Sequence, residues 1–235
     1  MQILADYARA FGIELNAAQR AAFETYYREL VAWNARVNLT AITERDQVIV
    51  KHFLDSLSVA RAIPRGTASL IDVGTGAGFP GVPLKILLPD VRVTLLEAVG
   101  KKVAFLDHLI ATFNLRDTIA LHARAEDRAR DSAHRERYDV VAARAVADLA
   151  VLAEYCLPFA RVGGVFIAQK GIAVEEEVRG AARALKILGG RVRAITPVQL
   201  PGLEPRYLIV VEKIARTPAT FPRRAGLPTR QPLTN

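Results

Sequence analysis

The sequence predicts an α/β fold, a mainly parallel, doubly wound sheet with helices on both faces, preceded by a helical extension. Three observations predict it. From Ala68 onward, short apolar runs of strand length alternate with helical stretches. A glycine-rich turn, residues 74–81, follows the first apolar run directly. Before Pro64 there is no such alternation, and apolar residues recur at helical spacing.

Residues 1–63 form the expected helical extension. Residues 15–33 contain neither Gly nor Pro, and Phe23, Tyr26, Tyr27 and Leu30 recur at helical spacing. Residues 34–38 read as a break, with Thr43 or Asp46 the expected cap of a further helix over residues 48–61. Pro64, Arg65 and Gly66 mark a boundary. Residues 64–213 then read as the sheet domain. Ser69–Val73 is a strand, residues 83–88 a short helix stopped by Pro89, Arg92–Glu97 a second strand and residues 101–113 a second helix. Later strands are expected at Thr118–His122 and at residues 138–142, 165–169 and 207–212, with helices near residues 148–159 and 174–188. Residues 214–235 form a tail punctuated by Pro218, Pro222, Pro228 and Pro232. No internal repeat or low-complexity segment interrupts the pattern.

With 235 residues and 51% hydrophobic content, the chain can bury a substantial core, which excludes global disorder. The single cysteine, Cys156, rules out an internal disulfide and a cysteine metal cluster, and it sits in an apolar helical run that predicts a core position. His52, His108, His122 and His134 are scattered, so no metal site is expected. The N-terminus lacks the pattern of a signal peptide, no apolar stretch reaches membrane length, and a cytoplasmic protein is expected. The net charge of +8 is uneven: residues 1–63 are neutral, whereas residues 213–235 carry five basic residues and no acidic one. A basic segment beside a globular core suggests a polyanionic partner such as RNA.

The run LIDVGTGAGFPG places Gly74, Gly76 and Gly78 directly after a buried strand. A nucleotide-type cofactor must approach the backbone closely there, where a side chain would intrude or forbid the required φ. The helix that follows then points its N-terminal N–H groups at a carboxylate or phosphate. Two cofactor readings compete. Gly76, Gly78 and Gly81 satisfy the G-x-G-x-x-G dinucleotide fingerprint, which taken alone is a weak signal. Asp72, two residues before the first glycine, completes D-x-G-x-G-x-G, the pattern of S-adenosylmethionine enzymes. Pro80 and Pro83 flank Gly81, so regular helix has barely begun where a dinucleotide site wants its third glycine. Glu97 ends the second strand, and its two oxygens can bind two ribose hydroxyls of either cofactor.

The segments NLTAITERDQVIVKHFLDSL, DVGTGAGFPGVPLKILLPD, LLEAVGKKVAFL, RAE, YDVVAARAVADL and FPRRAGLPTRQPL, in that order, strongly resemble the 16S ribosomal RNA guanine-N7 methyltransferase family, also called glucose-inhibited division protein B. The resemblance runs from about Asn38 to the C-terminus. It implies a Rossmann-like class I methyltransferase with a seven-stranded sheet whose last strand is antiparallel, an S-adenosylmethionine cofactor, and small-subunit ribosomal RNA or the ribosomal subunit as partner. A monomer is the expected state. The family's cofactor contacts carry over to Gly74, lining the methionine end, to Phe79, to Glu97 as the ribose ligand (often Asp in the family), and to Ala125 and Glu126 beside the adenine. Arg144 carries over as the residue facing both cofactor and reaction site, and is the catalytic candidate. Gly76 and Gly78 join the cofactor set through the glycine motif. His52 and Asp55, three apart on one helical face, read as a structural link between extension and sheet, with a catalytic pair the alternative. The chain lacks both a D-P-P-Y-type motif after the fourth strand and a Pro-Cys nucleophile, which amine and ring-carbon methylation need; guanine N7 needs neither. An NAD-dependent oxidoreductase and a non-catalytic RNA-binding assembly protein are the competing classes.

Overall fold

The computed structural model describes residues 1–144 and 147–234. Its centre is a seven-stranded sheet in the order β3-β2-β1-β4-β5-β7-β6. The strands are β1 (Ser69–Val73), β2 (Arg92–Glu97), β3 (Thr118–His122), β4 (Tyr138–Ala143), β5 (Ala160–Lys170), β6 (Gly190–Val198) and β7 (Arg206–Lys213). The pairs β2–β3, β1–β2, β1–β4 and β4–β5 are parallel, and β7 runs antiparallel to both of its neighbours. Strand order reverses between β1 and β4. At such a switch point the crossovers diverge to opposite faces and leave a crevice beyond the carboxyl ends of the strands.

Alternate residues of each strand feed opposite faces. Leu70, Val93, Leu95, Val140, Val165 and Ile167 join a core shared with the N-terminal helices. Ile71, Leu96, Val141, Phe166, Ala168 and Ile209 join a second core under the later helices. On the first face lie α1 (Gln2–Arg9), α2 (Ala17–Val37), the run from α3 (Arg45–Val48) to α4 (Asp55–Ser58), α5 (Gly81–Leu87) and α6 (Gly100–Thr112). On the second lie α8 (Leu149–Cys156), α9 (Val174–Gly180) and α10 (Ala182–Leu188), with one-turn helices α7 (Ala125–Arg128) and α11 (Leu227–Arg230) at the rim. The extension shares one hydrophobic core with the sheet.

Several boundaries differ from expectation for physical reasons. Helix α2 does not break at residues 34–38 but runs to Val37 and ends where Asn38 turns left-handed at φ 54°. Asn34 stays helical and folds its Oδ1 back to accept the N–H groups of Leu39 and Thr40, so the polar residue terminates the chain direction from inside the helix. Its start is a capping box between Asn16 and Gln19. Glu44, and neither Thr43 nor Asp46, caps α3 through the N–H groups of Asp46 and Gln47. Between α3 and α4 the backbone widens to a π-helical turn, Ile49–Leu54. Strand β6 carries little sequence signal because it is the sheet edge, with half its side chains in solvent and Pro197 within it. No helix among the described residues is long and apolar enough to cross a membrane.

Candidate active site

The crevice lies at the carboxyl ends of β1, β2 and β4. The four glycines of the loop after β1 divide into two pairs. Gly74 and Gly76 have φ values of +73° and +61°, which side chains rarely adopt, and a Cβ on either would meet no atom within 4 Å. Gly78 and Gly81 face the protein instead. A Cβ on Gly78 would strike the Tyr26 hydroxyl and Val82, and one on Gly81 would strike Leu95 and Asp72. The first pair therefore borders open space, whereas the second is small so that helices can pack. The missing side chain of Gly78 makes room for Tyr26.

Asp72 holds the loop closed. Its buried Oδ2 accepts the Thr75 hydroxyl at 2.5 Å and the Gly81 N–H at 2.7 Å. Burial raises its pKa to about 6, partly offset by those two hydrogen bonds, and its Oδ1 has no partner among the described residues. Glu97, at the end of β2, is buried and does not have both oxygens free. Oε2 accepts the Gly76 N–H and Oε1 the Val99 N–H, each at 2.9 Å. Each carboxylate oxygen keeps a second lone pair, so the backbone aims the group without exhausting it.

Two cavities meet at Gly74. The larger, about 240 Å³, is lined by Gly74, Glu97, Ala125, Glu126, Leu152 and Tyr155, among others. The smaller, about 140 Å³, is lined by Gly74, Gly76, Phe79, His52, Thr40 and Arg144. A third cavity, about 500 Å³, begins at His52 and Arg144 and extends to Asp148, Gln169, Lys170 and Arg206. The second shares Gly74 with the first, and His52 and Arg144 with the third, so the three lie side by side at the strand ends.

Arg144 stands where the second and third cavities join. Its Nη1 donates to the Lys51 carbonyl at 2.9 Å and to Asp55 Oδ2 at 3.2 Å. The π-helical turn brings these acceptors together. Nη2 lies 3.3 Å from His52 Nδ1. Nδ1 also lies 3.2 Å from the Lys51 carbonyl, and Nε2 lies 3.0 Å from the Thr40 hydroxyl, so both ring nitrogens have polar partners. Burial first, and the Arg144 charge second, push the His52 pKa down to about 4, leaving the ring neutral near pH 7. Burial raises the Asp55 pKa against the opposing pull of Arg144. Phe79 is the floor of the cluster: His52 stacks on it at 4.6 Å, Tyr26 at 5.3 Å, and the Arg144 guanidinium lies 5.0 Å from its ring centre. Tyr26 also donates its hydroxyl to the Ala77 carbonyl at 2.6 Å.

The structure thus gathers Gly74, Gly76, Phe79 and Arg144 at one junction, with Glu97, Ala125 and Glu126 at the far end of the adjoining cavity. His52 and Asp55, on the extension, both contact Arg144 beyond β4. Sequence reasoning missed Tyr26, Thr40 and Gln169; of these, only Tyr26 carried a signal, as a large residue on the apolar face of α2. Cys156 is fully buried in the second core, as its apolar neighbours indicated.

Sheet order, glycine loop and terminal acid on β2 together define a Rossmann-like methyltransferase. Solved structures share the fold. Precorrin-6y C5,15-methyltransferase from Geobacter metallireducens aligns at TM-score 0.52 and 16% identity, covering 68% of this chain and 87% of that one. TrmN from Thermus thermophilus aligns at TM-score 0.53 and 19% identity, covering 68% of this chain and 48% of that one. The chain belongs to the rRNA small subunit methyltransferase G family, whose profile matches residues 19–203. Ribosomal RNA small subunit methyltransferase G of Roseiflexus sp. (strain RS-1) is 54% identical over 99% of this chain and 100% of its own. The protein of that name from Dehalococcoides mccartyi (strain CBDB1) is 52% identical over 95% of this chain and 96% of its own. The chain is accordingly a methyltransferase of small-subunit ribosomal RNA.

Proposed function

We propose that this chain transfers the methyl group of S-adenosylmethionine to N7 of a guanine in small-subunit ribosomal RNA. The observation that carries the reading is the row of three adjacent cavities, the middle one lined by both Gly74 and Arg144. The residues fit the cofactor. Gly74 and Gly76 leave a cradle that a side chain would fill. Glu97 presents a pre-aimed carboxylate suited to two ribose hydroxyls, and buried Glu126 presents one suited to the adenine amine. Gly74, Phe79 and Arg144 would hold the methionine end. When bound, S-adenosylmethionine supplies a methyl group already activated on a sulfonium.

The chain's own task is then mainly positioning, which can contribute up to roughly 7–11 kcal/mol. Guanine N7 attacks with an in-plane lone pair and loses no proton, so a free general base is unnecessary. His52 fits that demand, because both ring nitrogens are engaged by Thr40 and Arg144. Cys156 is no nucleophile, since burial raises its thiol pKa well above the ordinary range. The third cavity suits the target base. Gln169 lines it, and its buried Oε1 has no partner among the described residues. Arg144, at the mouth, would orient base and cofactor together.

The test is methylation of unmodified small subunits, and separately of naked small-subunit RNA, with labelled S-adenosylmethionine, followed by mapping of the product. Label in N7-methylguanosine at one position is the expected result; label on another atom, or none on either substrate, would overturn the reading. The enzyme is proposed to act in the cytoplasm as a monomer.

A further inference from the structure

We propose that the C-terminal tail is the outer support of the adenosine end of the cofactor cavity, setting cofactor affinity through Glu126 and Tyr155 and leaving RNA affinity to other surfaces. The inference rests on the cofactor reading above. Charge alone suggests an RNA-binding arm, yet Arg223 is spent inside the molecule, while Arg216, Arg224 and Arg230 stay exposed. Arg223 grips Glu154, which is 1% exposed, through Nη2 at 2.7 Å and Nε at 2.9 Å, while its N–H donates to the same carboxylate at 2.7 Å. Arg135 reaches from the body to the Thr217 and Phe221 carbonyls, each at 2.8 Å, and Arg130 to that of Pro222 at 2.5 Å. Phe221 and Leu233 lie against the second core.

Beyond this clamp the tail touches two residues that line the cofactor cavity. The Gly226 N–H donates to Glu126 Oε1 at 2.9 Å, and the Thr229 hydroxyl pairs with the Tyr155 hydroxyl at 2.8 Å. Glu126 sits on α7, a helix of only four residues. One turn of helix has little stability of its own, so the direction of its carboxylate depends on outside partners. Gly226 turns the chain at φ +78°, a left-handed value that glycine adopts without cost, and this turn delivers the N–H to Glu126. The clamp at Arg223 fixes the tail three residues upstream. Gly226 and Thr229 are positioning residues: they act on the cofactor through Glu126 and Tyr155.

The experiment compares the full chain with a chain ended after Ala225, which keeps the Arg223–Glu154 pair and the contacts of Arg130 and Arg135. Calorimetry with S-adenosylhomocysteine on the full chain checks the cofactor reading itself; no binding there would sink that reading before the tail is considered. With normal binding by the full chain, the shortened chain should bind about tenfold more weakly, the size of one hydrogen bond to a charged group. KM for S-adenosylmethionine should rise in step, and kcat at saturation should stay within about twofold. Thr229→Val should weaken binding by a smaller factor, about threefold, and decides the matter alone if the shortened chain fails to fold. Equal S-adenosylhomocysteine affinity in the full chain and the variants overturns the proposal. So does a loss of affinity for small-subunit RNA with cofactor affinity intact, which would return the tail to RNA.

Discussion

The two ends of the chain flank the same crevice from opposite faces of the sheet, and different forces hold them there. The N-terminal extension enters through apolar burial: Phe23, Tyr26, Leu30 and Phe53 are fully buried in the first core, and Tyr26 stacks directly beneath the glycine loop. The tail is held by directional charge: a buried Arg223–Glu154 pair and arginines from the body that cap its carbonyls. Apolar burial distributes stability over many contacts and tolerates small changes in geometry. A buried ion pair is all or nothing, because removing one partner strands the other. The extension should therefore shape the catalytic junction with graded effects, whereas the tail should fail abruptly at its clamp.

The largest effect lies between the two regions. Gly76→Val should abolish measurable S-adenosylhomocysteine binding while the protein stays folded, because its side chain would enter the open cradle; undiminished binding in calorimetry would show that the loop is not the cofactor site. Arg223→Ala should cost about 3–5 kcal/mol of stability by leaving Glu154 buried and unpaired. Arg224→Gln, at an exposed position, should change stability by less than about 0.5 kcal/mol. Denaturant melts of the pair test the clamp, and equal losses would dissolve the contrast between tail and extension. Arg144→Ala should lower single-turnover methyl transfer by about 10²-fold, with a smaller effect on folding. A rate within about twofold of wild type, ~0.4 kcal/mol of barrier, would remove Arg144 from the reaction.

A pH comparison sharpens the view from the extension. His52 has its pKa depressed to about 4 by burial and by Arg144, so its contribution to stability is complete above its ordinary value near 6.5 and is lost as pH falls toward 4. Asp72 has the opposite sign. Its pKa is raised to about 6, so its contribution is present below its ordinary value of 3.8 and is lost as pH rises toward 6. Between pH 4 and 6 the two slopes oppose each other. The stability difference between wild type and His52→Gln should therefore shrink steadily as pH falls from 6.5 to 4; a difference independent of pH would mean that His52 titrates normally in the fold. Tyr26→Phe should act on stability rather than on the reaction. Losing the hydroxyl leaves the Ala77 carbonyl unpaired, at a cost of about 1–3 kcal/mol in stability, with kcat nearly unchanged.

The sheet was legible because its signals are local. β1 and β2 fall on their apolar runs, since a strand buried on both faces needs consecutive apolar residues whatever surrounds it. Helix α2 was legible in type but not in length, because Asn34 reads as a breaker until its side chain is seen serving Leu39 and Thr40. β6 was invisible because an edge strand with exposed Ile195 and an internal Pro197 shows no burial pattern. The glycine loop was legible as a motif, but which glycines face the ligand was not; that depends on where Tyr26 and Asp72 pack.

By itself, then, the sequence determined the α/β architecture, the place of the crevice after β1 and β2, and the candidates Gly74 and Glu97, because strand periodicity, turn chemistry and motif spacing are properties of neighbouring residues; Glu126 and Arg144 entered through the family resemblance. Only the tertiary structure decided what these residues touch. Arg144 meets Asp55 and His52 from 89 and 92 positions away, Arg223 meets Glu154 from 69, and Gly226 meets Glu126 from 100. A charge or an N–H group carries no address for its partner along the chain. The partner is chosen by which elements the hydrophobic cores bring together, and here that choice took the tail's Arg223 out of solvent and set it against the body, behind the cofactor cavity.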